Sequence, residues 1–220
     1  MAISQSINEL TAFRFSDKIS EVAGRPTHRF KSFNHMEPEF YRRLNKLLSD
    51  NEGRVNHLYL DTVGKPTVGV GNMLPTAESA CKLPFRILSN DGRANINLIT
   101  DEYELIRSKE WGKVANYYRQ FCHLYLPESD IDELLDDRVD EFEIRLRTDF
   151  LDFETYPENV QLALFDMAFN LGNDGLMKKF PKFCNAIKSK NWPEAAIQSR
   201  RPQLSVKRNE EIRKLFEGFE

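Results

Sequence analysis

The chain has 220 residues, of which 40% are hydrophobic and 30% charged. That is the make-up of a globular protein with room for one domain or two lobes, and it excludes global disorder. The net charge of -3, from 31 basic and 34 acidic residues, gives no basic surplus that would point to nucleic acid. No stretch approaches the roughly 18 continuous apolar residues of a membrane helix, so membrane insertion is not expected. The first twenty residues lack a basic segment followed by an apolar run, and no secretory signal is read there. Cys81, Cys122 and Cys184 are far apart and form no CxxC pair, and the four histidines show no ligand spacing. Neither a disulfide framework nor a metal or cofactor is therefore expected. A monomer is the expectation.

Residues 1–36 are mixed and polar around Gly24 and Pro26, and are taken as an N-terminal extension. From Glu37 the pattern tightens. Phe40, Tyr41, Leu44, Leu47 and Leu48 recur at helical spacing, Pro38 suits a first turn, and Gly53 suits the residue past the end. A helix from about Pro38 to about Glu52 follows. The next segment, NHLYLDTVGKPTVGVGN, is rich in β-branched and aromatic residues around Gly64 and predicts two short strands joined by a turn. Its GKPTVGVGN portion is not a P-loop, because the Gly-Lys-Ser/Thr ending is absent.

Residues 75–99 look loop-like, with Pro75, Pro84 and an Asn-Asp-Gly turn at 90–92. Asp101 and Glu102 suit the first turn of a helix reaching about Phe121. Ile131, Leu134, Leu135, Val139, Phe142, Leu146 and Phe150 mark an amphipathic surface helix. Residues 160–171 are apolar almost all round and stop at Gly172, as in a helix buried on most sides. Shorter helices are expected at about 178–189, 193–200 and 206–218. Charge is uneven. From Glu128 to Glu143 there are nine acidic residues and one basic, whereas from Leu176 to Lys214 there are eleven basic and three acidic. Two solvated helix faces of opposite sign are the plain reading of this pattern, and a basic C-terminal lobe facing an anionic polymer is the sharper one.

The stretch with chemistry is Glu52 to Asn72. A hairpin folded back across a helix end would bring Glu52, Asp61 and Thr67 around one cleft. Two carboxylates in different surroundings are what glycosidic cleavage requires. Glu52 is the better proton donor, because the negative end of a helix dipole disfavours charge there. Asp61 on a polar turn suits the ionised role, with the Thr67 hydroxyl helping to place a water. Each residue also has a plain reading: a solvated surface acid, a turn-forming Asp and a strand Thr.

The run EGRVNHLYLDTVGKPTVGVGN, from Glu52 to Asn72, resembles the active-site segment of the bacteriophage-type lysozymes. In that family a Glu, an Asp nine residues later and a Thr six residues beyond form the catalytic triad, and Glu52, Asp61 and Thr67 keep both intervals. FDMAFNLG, at 165–172, resembles the family's buried central helix, with Asn170 at a position that touches glycan. The family also has an arginine near its C-terminus that approaches the catalytic Glu. Arg208 is the best match, with Arg200 or Arg201 next. The resemblance thus implies Glu52, Asp61 and Thr67 as catalytic residues, and Tyr59, Asn72, Asn170 and Arg208 on the substrate side. Asn72 departs from the family, which commonly has His there.

What the resemblance implies is an α+β, mainly helical, two-lobe lysozyme-like fold over residues 37–220. A small β-hairpin lobe would span about 52–75 and a larger helical lobe about 100–220. It implies a glycoside hydrolase, a muramidase cutting the β-1,4 bond between N-acetylmuramic acid and N-acetylglucosamine in peptidoglycan, and it favours inversion. A chitin- or chitosan-type glycosidase on the same fold, or a non-catalytic peptidoglycan-binding module, are the alternatives. Longer relatives with VGVGNMLP-like runs look like lysozyme-like toxins of type VI secretion. On that likeness a cognate immunity protein is a further partner. The chain would be made in the cytoplasm and would reach the cell wall by holin release, as an endolysin, or by injection into a target cell.

Overall fold

A computed structural model of the chain describes residues 36–217. The N-terminal extension lies outside these residues, Met36 apart, as does the far end of the last expected helix. Helix α1 runs from Pro38 to Glu52, with Pro38 in its first turn and Phe40, Leu44 and Leu48 buried along one seam. It stops at Gly53, whose φ of +79° is natural only for glycine and whose amide donates to Ser49 O at 3.0 Å.

Strand β1 (Val55–Leu60), β2 (Pro66–Gly69) and β3 (Asn72–Met73) then form a three-stranded antiparallel sheet in chain order. The register sets Tyr59 opposite Thr67 and Leu60 opposite Pro66, while Val68 faces Asn72. Two strands were expected here; the third is only two residues long, too short to carry a periodicity. The β1–β2 turn is built by Asp61. Its Oδ1 accepts the amides of Val63 at 2.9 Å and Lys65 at 2.8 Å, the local side-chain-to-backbone bonding that makes Asp a turn residue.

Residues 75–99 are not simply a loop. They contain α2 (Ala77–Cys81), opened by a reciprocal cap between Thr76 and Ser79, and the short strand β4 (Arg86–Ile87). Helix α3 (Ile96–Arg107) begins five residues before the expected start at Asp101, because the Asn95 side chain caps it by accepting the Leu98 amide. It also ends well before Phe121. The chain continues through α4 (Ala115–Tyr118), a 3₁₀ turn and β5 (Leu124–Tyr125), which pairs with β4.

Helix α5 (Glu128–Asp149) buries Ile131, Leu135, Val139, Phe142 and Leu146, as the periodicity requires. Helix α6 (Glu158–Leu171) is buried on nearly every side. Phe165 at its middle is fully buried, with its ring 6.4 Å from Phe40 and 6.0 Å from Phe153. The helix expected at 178–189 is two, α7 (Asn173–Lys179) and α8 (Pro181–Lys188). They break at Phe180, since a residue before proline is disfavoured in helical conformation. Helices α9 (Trp192–Gln198) and α10 (Val206–Leu215) complete the fold. The architecture is α+β, mainly helical, with a small antiparallel sheet. Among the described residues no helix is long and apolar enough to cross a membrane.

Two consequences are measurable. Phe165→Ala is expected to cost about 3–5 kcal/mol in urea unfolding, the range for deleting a buried aromatic ring that neighbours cannot replace. The second concerns Glu102, which is buried and accepts the amides of His123 at 2.6 Å and Leu124 at 3.1 Å. Burial holds its carboxyl above the usual glutamate range, outweighing these two donors. Its proton is therefore held more tightly in the folded state. The resulting stability is full below the ordinary glutamate pKa and is lost as pH rises through the raised folded value. The Tm of Glu102→Gln minus that of the native chain is expected to grow from about pH 4 towards neutrality. A flat difference would contradict this.

Candidate active site

Glu52 is the last residue of α1, and its side chain is 21% exposed. Arg208, in the first turn of α10, holds it: Nη2 donates to Glu52 Oε1 at 2.6 Å. The same guanidinium serves Asp166 of α6, with Nη2 2.7 Å and Nε 3.2 Å from Oδ1, and its Nη1 donates to Asn51 O at 3.1 Å. Asn51 Nδ2 adds a third donor to Asp166 Oδ1, at 2.9 Å. Oδ2 of Asp166 accepts from Arg201 Nη2. Asp166 and Arg201 are both completely buried.

Four charges of balanced sign thus join the end of α1, the middle of α6 and the segment from α9 into α10. Burial pulls the Arg208 pKa down, but the Asp166 and Glu52 carboxylates more than offset it, and it lies above the usual arginine range. For Arg201 burial prevails, and the pKa is lowered. Asn209 fixes the intervening loop by accepting the Arg201 amide at 2.7 Å and donating to Arg201 O at 2.9 Å.

The hairpin supplies the opposite side. Gly71, at φ +63°, brings the β2–β3 turn against Glu52: a Cβ there would lie 3.6 Å from Glu52 Oε2. Tyr59 lies where the charges of both Glu52 and Asp61 act on it. Burial first, and then these two carboxylates, push its phenol up to about 12. Thr67, directly across from Tyr59, is buried, and its hydroxyl donates to Lys65 O at 3.0 Å. Its lone pairs are left for any water. Asn170, one residue from the end of α6, keeps a buried Oδ1 with no partner among the described residues. Asn72 is half-buried in β3, and no hydrogen bond joins it to Glu52 or Asp61.

Of the residues singled out from the sequence, Glu52 and Arg208 are in direct contact, and Tyr59 links Glu52 electrostatically to Asp61. Two participants, Asp166 and Arg138, escaped that reading, and a third, Arg201, was ranked behind Arg208. Asp166 had a visible signal, as the one charged residue in the otherwise apolar run 160–171. Arg201 was a second choice to Arg208 and proves to stand behind it. Arg138 of α5 had a signal too, as the single cation in the acidic stretch; it lies close enough to Glu52 for their charges to interact.

A groove of about 1010 Å³ lies between α1 and α10. It meets the network only at Asn51 and Arg208, and no hairpin residue lines it, so it is not the candidate site. Among the described residues no group of three His, Cys, Asp or Glu side chains is placed to hold a metal ion. Comparison with known proteins found no family model and no curated protein that matches this chain.

The network makes a graded prediction. Asp166→Ala strands a buried Arg201 and is expected to destabilise by about 3–5 kcal/mol. Arg201→Met is expected to cost less, because Arg208 still covers Asp166. Denaturant unfolding of both variants checks the order, and equal costs would contradict it.

Proposed function

We propose that this chain is a peptidoglycan hydrolase of the muramidase type, built as a lysozyme-like fold. The small β-hairpin lobe would be the sheet around residues 52–75, and the helical lobe would be centred on α6. The observation that carries the reading is the position of Glu52. One of its oxygens is held by Arg208, and the other, Oε2, faces the β2–β3 turn of a sheet that also carries a second carboxylate, in its β1–β2 turn, and a buried hydroxyl. The resemblance of the Glu52–Asn72 run supplies the reaction.

In this reading Glu52 donates its proton to the glycosidic oxygen as the bond to the anomeric carbon breaks. Arg208 holds the acid in place and takes up the charge that remains on it. Asp61 has Oδ1 committed to the turn amides, which fixes the carboxylate and leaves Oδ2 for a water. Thr67 accepts from the same water, and Asp61 removes its proton as it attacks. Asn170 and Tyr59 border the strand. A secreted antibacterial toxin or a phage endolysin would both use this chemistry, and the toxin reading adds an immunity protein as partner.

The test is digestion of purified peptidoglycan by the native chain and by Glu52→Gln, with products resolved by mass spectrometry. Reducing N-acetylmuramic acid ends are expected, and Glu52→Gln should lower their release by about 10²–10⁴-fold, the span for loss of a general acid. Anhydro ends would replace hydrolysis by transglycosylation. Binding to sacculi with no release by either form would replace the enzyme by a binding module. Release from chitin and not from peptidoglycan would change the substrate.

A further inference from the structure

Arg138 is the one cation among nine acidic residues between Glu128 and Glu143, yet it does not pair with them. Asp137 and Asp140 flank it in sequence, and neither forms an ion pair or hydrogen bond with its guanidinium among the described residues, while Glu141 acts on it through its charge. The side chain turns to the aromatic face shared by α5 and α6. Its guanidinium carbon lies 5.5 Å from the ring centres of both Phe142 and Phe169, whose rings are 4.6 Å apart. Its Nε is buried without an acceptor. Burial lowers its pKa, and the charges of Glu141 and Glu52 only partly offset this.

A guanidinium in such a place is costly unless something completes it, because a desolvated cation whose counter-charges make no direct hydrogen bond to it recovers only part of its lost hydration. The other arginines beside Glu52 are spoken for: Arg201 and Arg208 share Asp166. Arg138 keeps its planar donor fork free, and the two rings restrict where that fork can point. This geometry suits a carboxylate, which an arginine grips through two parallel hydrogen bonds. A second unpartnered atom lies near the end of α6. Asn170, next in the chain to Phe169, has a buried Oδ1 without a donor. The orphan donor of Arg138 borders the aromatic pair, close enough to the proposed acid for their charges to interact.

We propose that Arg138 receives a carboxylate of the glycan strand, so that the site selects acidic glycans over neutral polymers of the same linkage. The proposal rests on the hydrolase reading and assigns its substrate preference to one side chain. In intact peptidoglycan the carboxylate comes from the stem peptide, because the lactyl carboxyl is spent in the amide bond to that peptide and is free only once the peptide is removed.

Three walls separate these sources: intact peptidoglycan, peptidoglycan with its carboxyls amidated, and glycan strands stripped of peptide by an amidase. Native chain, Arg138→Gln and Arg138→Lys are compared on each, by rate of cutting and by co-sedimentation. Native chain is expected to act about tenfold or more faster on intact than on amidated wall, the scale of one charge-assisted contact. Arg138→Gln should act on both at the same reduced rate, and Arg138→Lys should keep part of the preference. Dependence on Arg138 that persists on stripped strands shows that the freed lactyl carboxylate takes the same place; dependence that vanishes there confines recognition to the peptide carboxylate. The proposal is overturned if Arg138→Gln lowers activity and binding equally on intact and amidated wall. Because the ratio between walls is read within one variant, a loss of folded protein does not imitate the result. A native chain that cuts none of the walls defeats the hydrolase reading alone, and the sedimentation ratio still decides the role of Arg138.

Discussion

A carboxylate with no access to water sits at the middle of α6, and the geometry around it follows from how it is neutralised. Asp166 takes Arg201 on one oxygen and Arg208 and Asn51 on the other. Those donors come from the end of α1, the segment after α9 and the start of α10. Such a buried pair adds little net stability over an apolar replacement, but a missing member leaves an uncompensated charge. Few arrangements of the three segments satisfy it, so it acts as a restraint on position.

Glu52 inherits that restraint. It is the last residue of a helix pinned by Phe40, Leu44 and Leu48, and Arg208 reaches it with the hand that also holds Asp166. Asp61 is placed by entirely different means. Its own turn amides hold it, and the strands on either side come from a short local hairpin. One acid is thus fixed by contacts made across more than a hundred residues, and the other by bonds within five. Gly71 lets the two halves meet, since its φ of +63° turns the backbone against Glu52 in a conformation that a side chain would strain. Arg138 stands apart from these paired charges, with its Nε buried without an acceptor and its guanidinium set against two aromatic rings.

Much of the fold was legible because strong local signals agree with the tertiary environment. Pro38 and Gly53 bound α1, Gly172 closes α6, and the apolar stripe of α5 is the face it buries. The segment 75–121 was less legible for a physical reason. Its elements are short, and their starts are set by single side chains, Thr76 and Asn95, rather than by periodicity. Asp101 and Glu102 imitate a helix start, but Glu102 is instead drawn inside to meet two amides of the chain leading into β5. The break at Phe180 was written in the following proline, yet the apolar pattern runs straight across it.

The sequence by itself determined what depends on near neighbours. It marked where α1 ends, that a hairpin follows, and that Glu52, Asp61 and Thr67 fall at a helix end, a turn and a strand. It also singled out Arg208 as the partner of Glu52, though through a family resemblance rather than through spacing. Only the tertiary structure decided that Asp166 anchors Arg208, that Arg201 stands behind it, and that Arg138 Nε is left without an acceptor. Those outcomes rest on side chains 35, 42 and 156 residues apart competing for the same buried carboxylates. No local period encodes that competition. It is settled only when the helices pack and water is excluded, because charge pairing is worth little until the groups are desolvated together.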